Sequence, residues 1–195
     1  MSELTQSDPV KLFSGAFASD SMLIGEVEER LASRFGPVDW RSPPLMFDRT
    51  RYYEKEMGWP LHRRFCAFER LIPPESLVDV KLAAHEIEVD YTVAGRRRVN
   101  IDPGYLCAER LVLATGKNYI HRIYLGKGVY ADLTLVFSRG SFRTLNWTYP
   151  DYAAPEMTAH FNELRTRYMA QLRSTRAVDQ IRTAREDMES KGKEL

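Results

Sequence analysis

Several features that would settle a protein's class are missing from this sequence. No run approaches the roughly 18 apolar residues of a membrane span, and the start, MSELTQSDPVKLF, lacks the basic leader and apolar stretch of a secretory signal. Charge of one sign is also missing, because 28 Lys and Arg face 27 Asp and Glu. A net charge of +1 gives no bulk field that would attract nucleic acid or an anionic membrane. We therefore expect a cytoplasmic protein that does not act at a membrane.

Cysteine and familiar catalytic motifs are also scarce. Cys66 and Cys107 each lie in an apolar run without a Cys or His at ligand spacing, so we interpret both as buried free thiols rather than a disulfide or metal pair. The four histidines show no metal spacing either. The sequence also lacks G-x-x-x-x-G-K-[ST], G-x-G-x-x-G, G-x-S-x-G and H-E-x-x-H. The mechanisms that depend on these motifs are therefore excluded.

The sequence does contain a regular succession of strand and helix patterns along its 195 residues, a length that suits one domain with its own core. A strand pattern at 11–18 precedes apolar residues at helical spacing, and Gly36 ends that helix. The strand RRFCAFERLI precedes a second helix, and over 98–142 the apolar period changes toward two, as in antiparallel strands. A last helix carries an apolar stripe formed by Met157, Phe161, Leu164, Tyr168 and Leu172.

This order predicts an α+β fold: a ferredoxin-like split βαβ core extended by an antiparallel meander, with a C-terminal helix. We expect residues 1–172 to form a single domain. In residues 173–195 charges of both signs alternate and large apolar residues are few. This composition predicts a charged tail that is helical or mobile, and a partner-binding helix is the lesser alternative.

The stretch HRIYLGKGVYADLTLVF gives a specific strand register. A three-residue loop, Gly126 to Gly128, would pair Leu125 with Val129 and Arg122 with Asp132. One face then holds the apolar residues Ile123, Leu125, Val129, Ala131, Leu133, Leu135 and Phe137. The other face holds Arg122, Tyr124, Tyr130, Asp132 and Thr134. Because a shift of one residue would mix these sets, we predict a cross-strand pair between Arg122 and Asp132.

The stretch NIDPGYL presents a polar pair on a strand that runs into a turn. Alternation places Asn100 and Asp102 on one face and the apolar residues between them on the other. Asp-Pro-Gly is a common turn composition, so a structural role for Asp102 is the simpler interpretation. If the apolar faces of all these strands meet the helices, Asn100 and Asp102 join Arg122 and Asp132 on an open sheet face, with Lys117 and His121 at its edge.

Such a concentration of polar groups also suits chemistry. Carboxylates suit Mg²⁺, and Arg and Lys suit phosphate oxygens, so the set favours a small phosphate-bearing or nucleotide ligand. Glu54 and Glu56 in RYYEKEMG could supply a metal ligand or a general base, although a solvated acidic turn is the simpler interpretation. The basic clusters LHRRF and AGRRRVN favour an alternative, a non-enzymatic RNA- or protein-interaction module, but no RNA-recognition aromatic signature accompanies them.

The sequence resembles the bacterial domain-of-unknown-function family 4416 over about Lys11 to Leu172. The likeness rests on RYYEKEMG, RRFCAFERLI, VNIDPGYL, LVLATGKNYIHRIYLGKGVYADLTL and WTYPDY. Some members carry a GTP-binding label, for which this sequence has no phosphate loop. The motif string implies family roles for Glu54, Glu56, Arg64, Asn100, Asp102, Gly104, Tyr105, Lys117, His121, Arg122, Tyr124, Thr134 and Asp151. It also implies a glutamate where this chain has Asp132 and a threonine where it has Gly116.

Together these observations predict a site on the open sheet face of a binding protein or an enzyme. The expected catalytic residues are Asp102, His121 and Glu54, with Asp102 and Asp132 as ligands if Mg²⁺ is the cofactor. The expected ligand-binding residues are Arg64, Asn100, Tyr105, Lys117, Arg122, Tyr124 and Asp132.

Overall fold

The computed structural model describes residues 3–48 and 50–192, with side chains as far as residue 177. Its strands are β1 (Val10–Ala18), β2 (Val38–Arg41), β3 (Leu45–Met46), β4 (His62–Ile72), β5 (Thr92–Val93), β6 (Arg96–Arg97), β7 (Val99–Leu106), β8 (Arg110–Thr115), β9 (Arg122–Gly126), β10 (Val129–Ser138) and β11 (Ser141–Thr144). Its helices are α1 (Ser21–Phe35), α2 (Glu54–Met57), α3 (Leu77–Asp90) and α4 (Pro155–Gly192). The α+β class is confirmed.

The main sheet has the order β11-β10-β8-β7-β1-β4-β2, with β3 added beside β4 and β9 beside β10. Neighbouring strands are antiparallel throughout. Helix α1 therefore joins two strands that flank β4, and α3 joins two strands that flank β1. Each connection is a βαβ unit split by one antiparallel strand. The ferredoxin-like name for this core stays a prediction.

Helices α1 and α3 cover one face of the sheet. The side chain of Asp20 caps α1 by accepting from the Met22 N–H at 3.0 Å, and Gly36 ends the helix at φ 100°. Between these two ends, α1 has an apolar stripe at helical spacing. The stripe packs with Leu12 of β1 and Ile87 of α3 in one buried cluster. This burial leaves the other face of β1, which carries Phe13 and Phe17, for a second layer.

Helix α4 supplies that second layer, and this corrects the predicted open face. All five residues of the predicted apolar stripe are at most 3% exposed: Met157, Phe161, Leu164, Tyr168 and Leu172. They pack on Phe13 and Phe65, so this part of the face is covered. The helix continues without a break past the predicted boundary at 172. The side chains beyond residue 177, and residues 193–195 altogether, lie outside the described part, so a tail there stays a prediction.

The predicted β9–β10 register is confirmed from Tyr124 to Arg122, which faces Asp132. Next to the hairpin loop the predicted register is wrong. Val129 was predicted to pair with Leu125, but it pairs with Gly126. A second irregularity at Thr134 sets two residues of β10 against one of β8. This bulge moves Leu135 to the layer under α4. Period-two alternation had predicted Leu135 on the opposite face, with Leu133.

Candidate functional site

The main sheet opens between β7 and β8. The two strands pair only from Gly104 to Leu106, and the preceding residue, Pro103, has no N–H to continue a ladder. Among the described residues, the first half of β7 pairs with β1 alone, and the end of β8 pairs with β10 alone. The opening forms part of a cleft of about 790 Å³, a size typical of small-molecule sites.

Helix α3 satisfies the edge that β7 exposes in this opening. The Ile101 N–H donates to Oε1 of Glu88 at 2.6 Å, and Nζ of Lys81 donates to the Ile101 carbonyl at 2.9 Å. Backbone groups at a buried strand edge need such partners. Glu88 is only 4% exposed and is held by this contact. The helix therefore contributes Lys81, His85 and Glu88 to the cleft, beside residues from the strands and from the 50–53 segment.

Asn100 and Asp102 both line the cleft, on the shared face that alternation predicts. Nδ2 of Asn100 donates to Oδ1 of Asp102 at 2.9 Å. The side chain of Asp102 keeps 34% of its surface exposed. The polar pair of NIDPGYL thus belongs to the wall of a cavity, and the pairing of β7 with β8 starts just after Pro103.

Arg63 of β4 reaches across the sheet to this pair. Its Nη2 lies 3.5 Å from Oδ2 of Asp102 and 3.1 Å from the hydroxyl of Tyr152, and its Nη1 donates to Asp151. Four rings surround its guanidinium at 4.5–5.7 Å, those of Phe17, Phe47, Phe65 and Tyr152. The side chain is 3% exposed. A buried guanidinium therefore joins two carboxylates and fixes the 149–152 segment to the sheet.

The path of Arg63 requires a glycine at position 15. Gly15 of β1 lies directly between Asp102 and Phe65 in the register. A Cβ there would be 2.7 Å from the ring of Phe65 and 3.1 Å from Nη2 of Arg63. The bare backbone at Gly15 leaves the space through which the guanidinium approaches Asp102.

A second arginine, Arg97 of β6, ties α2 to the same wall. Its guanidinium donates to both carboxylate oxygens of Glu56, at 2.7 and 2.9 Å, and to Oδ1 of Asn100 at 3.0 Å. The hydrogen bond from Arg97 lowers the pKa of Glu56. The same bond raises the pKa of Arg97 further above its ordinary range. Glu56, Arg97, Asn100, Asp102 and Arg63 thus form one continuous polar network.

Asp132, a predicted metal ligand, lies at the cleft but is only 2% exposed. It accepts from Nε of Arg122 at 2.9 Å and lies 3.3 Å from Nε2 of His121. His121 in turn stacks on Trp147 with ring centres 5.0 Å apart. The predicted Arg122–Asp132 pair is confirmed. The Asp132 carboxylate, a predicted metal ligand, is thus already bound to Arg122. In the described part of the chain, no group of three or more His, Cys, Asp and Glu could hold a metal ion.

Tyrosines form much of the remaining wall. Burial, reinforced by the charge of Asp102, raises the pKa of Tyr53 to about 12. Burial likewise raises the pKa of Tyr149, whose hydroxyl accepts from Nη2 of Arg122. These phenols stay neutral at physiological pH and offer ring faces and hydroxyl groups to a ligand.

Lys81 and Lys117 are the cleft cations without an acidic partner. Within the residues whose side chains are described, neither ammonium has a carboxylate within 4.0 Å, whereas Arg63 and Arg97 both do. Nζ of Lys117 lies 4.9 Å from the centre of the Tyr52 ring. Among the described residues, Nζ of Lys81 donates to the Ile101 carbonyl. Two positive charges are therefore available to an anion that enters the cleft.

The structure brings only part of the predicted site together. Asn100, Asp102, Lys117 and Asp132 line the cleft. His121 and Arg122 do not line the cleft themselves, but both contact Asp132, which does. The other predicted residues lie elsewhere: Arg64 opposite Ala16 on the α1 side, Tyr105 in the helix-side core, Tyr124 exposed on β9, and Glu54 in an ion pair with Arg51.

The sequence interpretation missed Arg63, Lys81, Glu88, Arg97, Tyr149 and Tyr152 as site residues. In the middle of β4, residues of both faces are buried, so its apolar pattern could not say whether Arg63 or Arg64 faces the cleft. The family resemblance did include the motif WTYPDY and Asp151, and this was the signal for a functional 149–152 segment.

Comparison with known proteins gives one result. The family described as Domain of unknown function (DUF4416) matches residues 8–168, which include every residue of the cleft. No curated protein and no solved structure gives a significant match. Of the described helices, none is both long and apolar enough to cross a membrane.

Proposed function

The chain belongs to the DUF4416 family, and we propose that it binds a small phosphate-bearing ligand, such as a nucleotide or sugar phosphate, in the cleft between β7 and β8. The observation that carries this proposal is the difference between its lysines and its arginines. The arginines are paired with carboxylates, whereas Lys81 and Lys117 are not paired with any in the described part of the chain. Ammonium groups without a carboxylate partner at a cavity wall attract phosphate oxygens.

The remainder of the ligand would contact the tyrosine side of the cleft. Tyr52 lies beneath the ammonium of Lys117, and Tyr53 and Tyr149 complete the neutral aromatic surface. Ring faces beside cationic groups suit a ligand that combines an anionic group with a flat or apolar part. A nucleotide meets this description, and so does a phosphorylated sugar with an apolar ring face.

Asp102 is the carboxylate that we propose for direct action on the ligand. Asp132 is occupied by Arg122, and Glu88 is occupied by a backbone N–H, but Asp102 keeps a third of its side chain exposed. It can accept a ligand hydroxyl, act as a general base, or bind Mg²⁺ that arrives with the phosphate. Glu54 and His121 do not line the cleft, and this proposal gives them no catalytic role.

A thermal-shift titration tests the proposal with inorganic phosphate, nucleotides and sugar phosphates, with and without Mg²⁺. A ligand that binds only the native state must raise the melting temperature by mass action. Lys117→Ala should weaken the affinity of the best ligand about tenfold, since a hydrogen bond to a charged group contributes about 1.5–3 kcal/mol. Lys127→Ala is the matched control, because this exposed lysine pairs with Asp79 outside the cleft.

Two results would count against this function. One is that the protein is well folded but none of the phosphate compounds changes its melting temperature. The other is equal loss of affinity in Lys117→Ala and Lys127→Ala, which would indicate a diffuse charge effect. Binding of RNA with an affinity that falls steeply as salt rises would instead support the interaction-module alternative.

A further inference from the structure

The outer edge of the main sheet is formed by β9 and β11, which pair end to end along the same side of β10. The two strands leave a gap on β10 at residues 133–134. Side chains close it, because Nε1 of Trp147 donates to the Leu133 carbonyl at 2.8 Å and the Thr148 hydroxyl donates to the Thr134 carbonyl at 2.7 Å. The edge of β10 is therefore covered along its length.

Strand β9 itself is not covered in this way. In the described part of the chain it pairs with β10 on one side and with no strand on the other. Its three central side chains are large, apolar and exposed: Ile123 at 70%, Tyr124 at 59% and Leu125 at 42%. Ile120, just before the strand, is 97% exposed. Proteins usually protect such an edge with charged side chains, proline or a bulge.

The charges of this hairpin are already neutralised within the chain. Arg122 turns inward, where its side chain is 6% exposed and binds Asp132 at 2.9 Å. Lys127 at the hairpin tip binds Asp79 of α3 at 3.0 Å. Because each charge has its partner, two copies of this edge can meet without like-charge repulsion, whereas a strongly charged partner finds no group to pair with.

The sequence of β9 is complementary to itself in the antiparallel direction. With a two-fold axis at Tyr124, each Tyr124 faces its own copy, and Ile123 of one chain faces Leu125 of the other. The apolar side chains at positions 123 and 125 then pair on one face, and the free backbone groups of both edges bond each other. This arrangement is an isologous contact, the commonest kind in homodimers.

We propose that β9 is a dimerisation edge, on which a second copy of this chain continues the sheet by antiparallel β9–β9 pairing centred on Tyr124. The proposal is independent of the ligand in the cleft. It commits to a second copy because the edge is uncharged, apolar and self-complementary, as two identical surfaces must be to bind each other.

Sedimentation of the full chain over the micromolar range tests dimerisation. Wild type should be a dimer, and Ile123→Lys should weaken the dimer at least tenfold. The two-fold contact would bring two ammonium groups, one from each chain, into an apolar interface, where they lose hydration and repel each other. Met22→Lys is the control, since this residue is 75% exposed on α1, far from β9 in the sheet order. A monomeric wild type, or a dimer that Ile123→Lys leaves intact, would overturn the proposal.

A cysteine pair tests the register. Tyr124→Cys should form an intermolecular disulfide with diamide as oxidant, because directly opposed residues have Cα atoms about 4.5–5.5 Å apart. Leu125→Cys should cross-link far less, since its own copy is a diagonal neighbour at about 7–8 Å. Wild type treated in the same way controls for Cys66 and Cys107. Equal cross-linking of the two variants would refute pairing centred on Tyr124.

Discussion

At the scale of single residues, Arg63 decides the shape of the cleft. It is surrounded by aromatic rings and joins Asp102 to Asp151, so it fixes the 149–152 segment against the sheet. Arg64, next in sequence, has its side chain on the other face of β4, where it lies opposite Ala16. Two adjacent arginines with similar sequence surroundings therefore have different structural roles.

Replacing Arg63 should be strongly destabilising. Arg63→Met keeps the apolar stem but leaves Asp102 and Asp151 without their counter-ion, and breaking a buried pair costs about 3 kcal/mol or more. Urea unfolding measures this loss. Arg64→Met is the matched control, for which we expect less than about 1 kcal/mol. Similar losses in the two variants would show that Arg63 contributes through its stem and not through its ion pairs.

At the scale of elements, the opening between β7 and β8 creates the site, and side chains of α3 make it stable. Pro103 ends the ladder, and Glu88 and Lys81 replace the missing strand as partners of Ile101. The sequence does show Pro103. It does not show that a helix distant along the chain supplies the acceptor and the donor.

Glu88→Ala should therefore destabilise the fold. It leaves the N–H of Ile101 buried without an acceptor, which costs about 1–3 kcal/mol. Glu88→Gln should restore most of this stability, because an amide oxygen can accept the same bond. Chemical denaturation of the three proteins measures the difference. If the glutamine variant were as unstable as the alanine variant, the charge of Glu88 and not its acceptor would be what the fold needs.

The attachment of α2 should depend on pH. Arg97 holds the pKa of Glu56 below its ordinary value of 4.5. A carboxylate whose pKa falls on folding contributes stability that is present above its unfolded pKa and is lost as pH falls through its folded pKa. We expect the stability difference between wild type and Glu56→Gln to be largest near neutral pH and to shrink below about pH 4.5.

Because Glu56 is 36% exposed, solvent screening keeps this difference small. Urea titrations at neutral and acid pH measure it for both proteins. A stability difference that stays constant across this range would show that Glu56 makes no pH-dependent contribution.

At the scale of the whole molecule, α4 completes the fold by covering part of the sheet face opposite α1 and α3. Its last buried residue among those described is Leu172, and residues 173–177 are exposed. Tyr168 also donates to the Pro9 carbonyl at 3.0 Å, which joins the helix to the start of β1. The described core of α4 thus ends close to the predicted domain boundary.

Removal of residues 178–195 should change the free energy of unfolding by less than about 1 kcal/mol, because the described core keeps all its contacts. A shorter chain that ends at residue 167 loses Tyr168 and Leu172 and should lose at least about 4 kcal/mol. Thermal and urea unfolding compare the two truncations. A large loss in the longer form would place a stabilising contact beyond residue 177.

The sequence by itself determined the features that depend on local geometry. Apolar spacing determined α1 and the buried stripe of α4, since helical periodicity is a property of neighbouring residues. The glycine-flanked hairpin fixed the opposition of Arg122 and Asp132, and alternation placed Asn100 and Asp102 on one face.

Only the tertiary structure decided where these faces point and what covers them. Both faces of the middle of β4 are buried, so alternation in its sequence does not show which arginine faces the cleft. In the structure that residue is Arg63 and not Arg64. A bulge at Thr134 reversed the face of Leu135, and α4 covered part of a face that was predicted to be open. Each of these outcomes depends on contacts between segments far apart in the chain, and local periodicity does not encode such contacts.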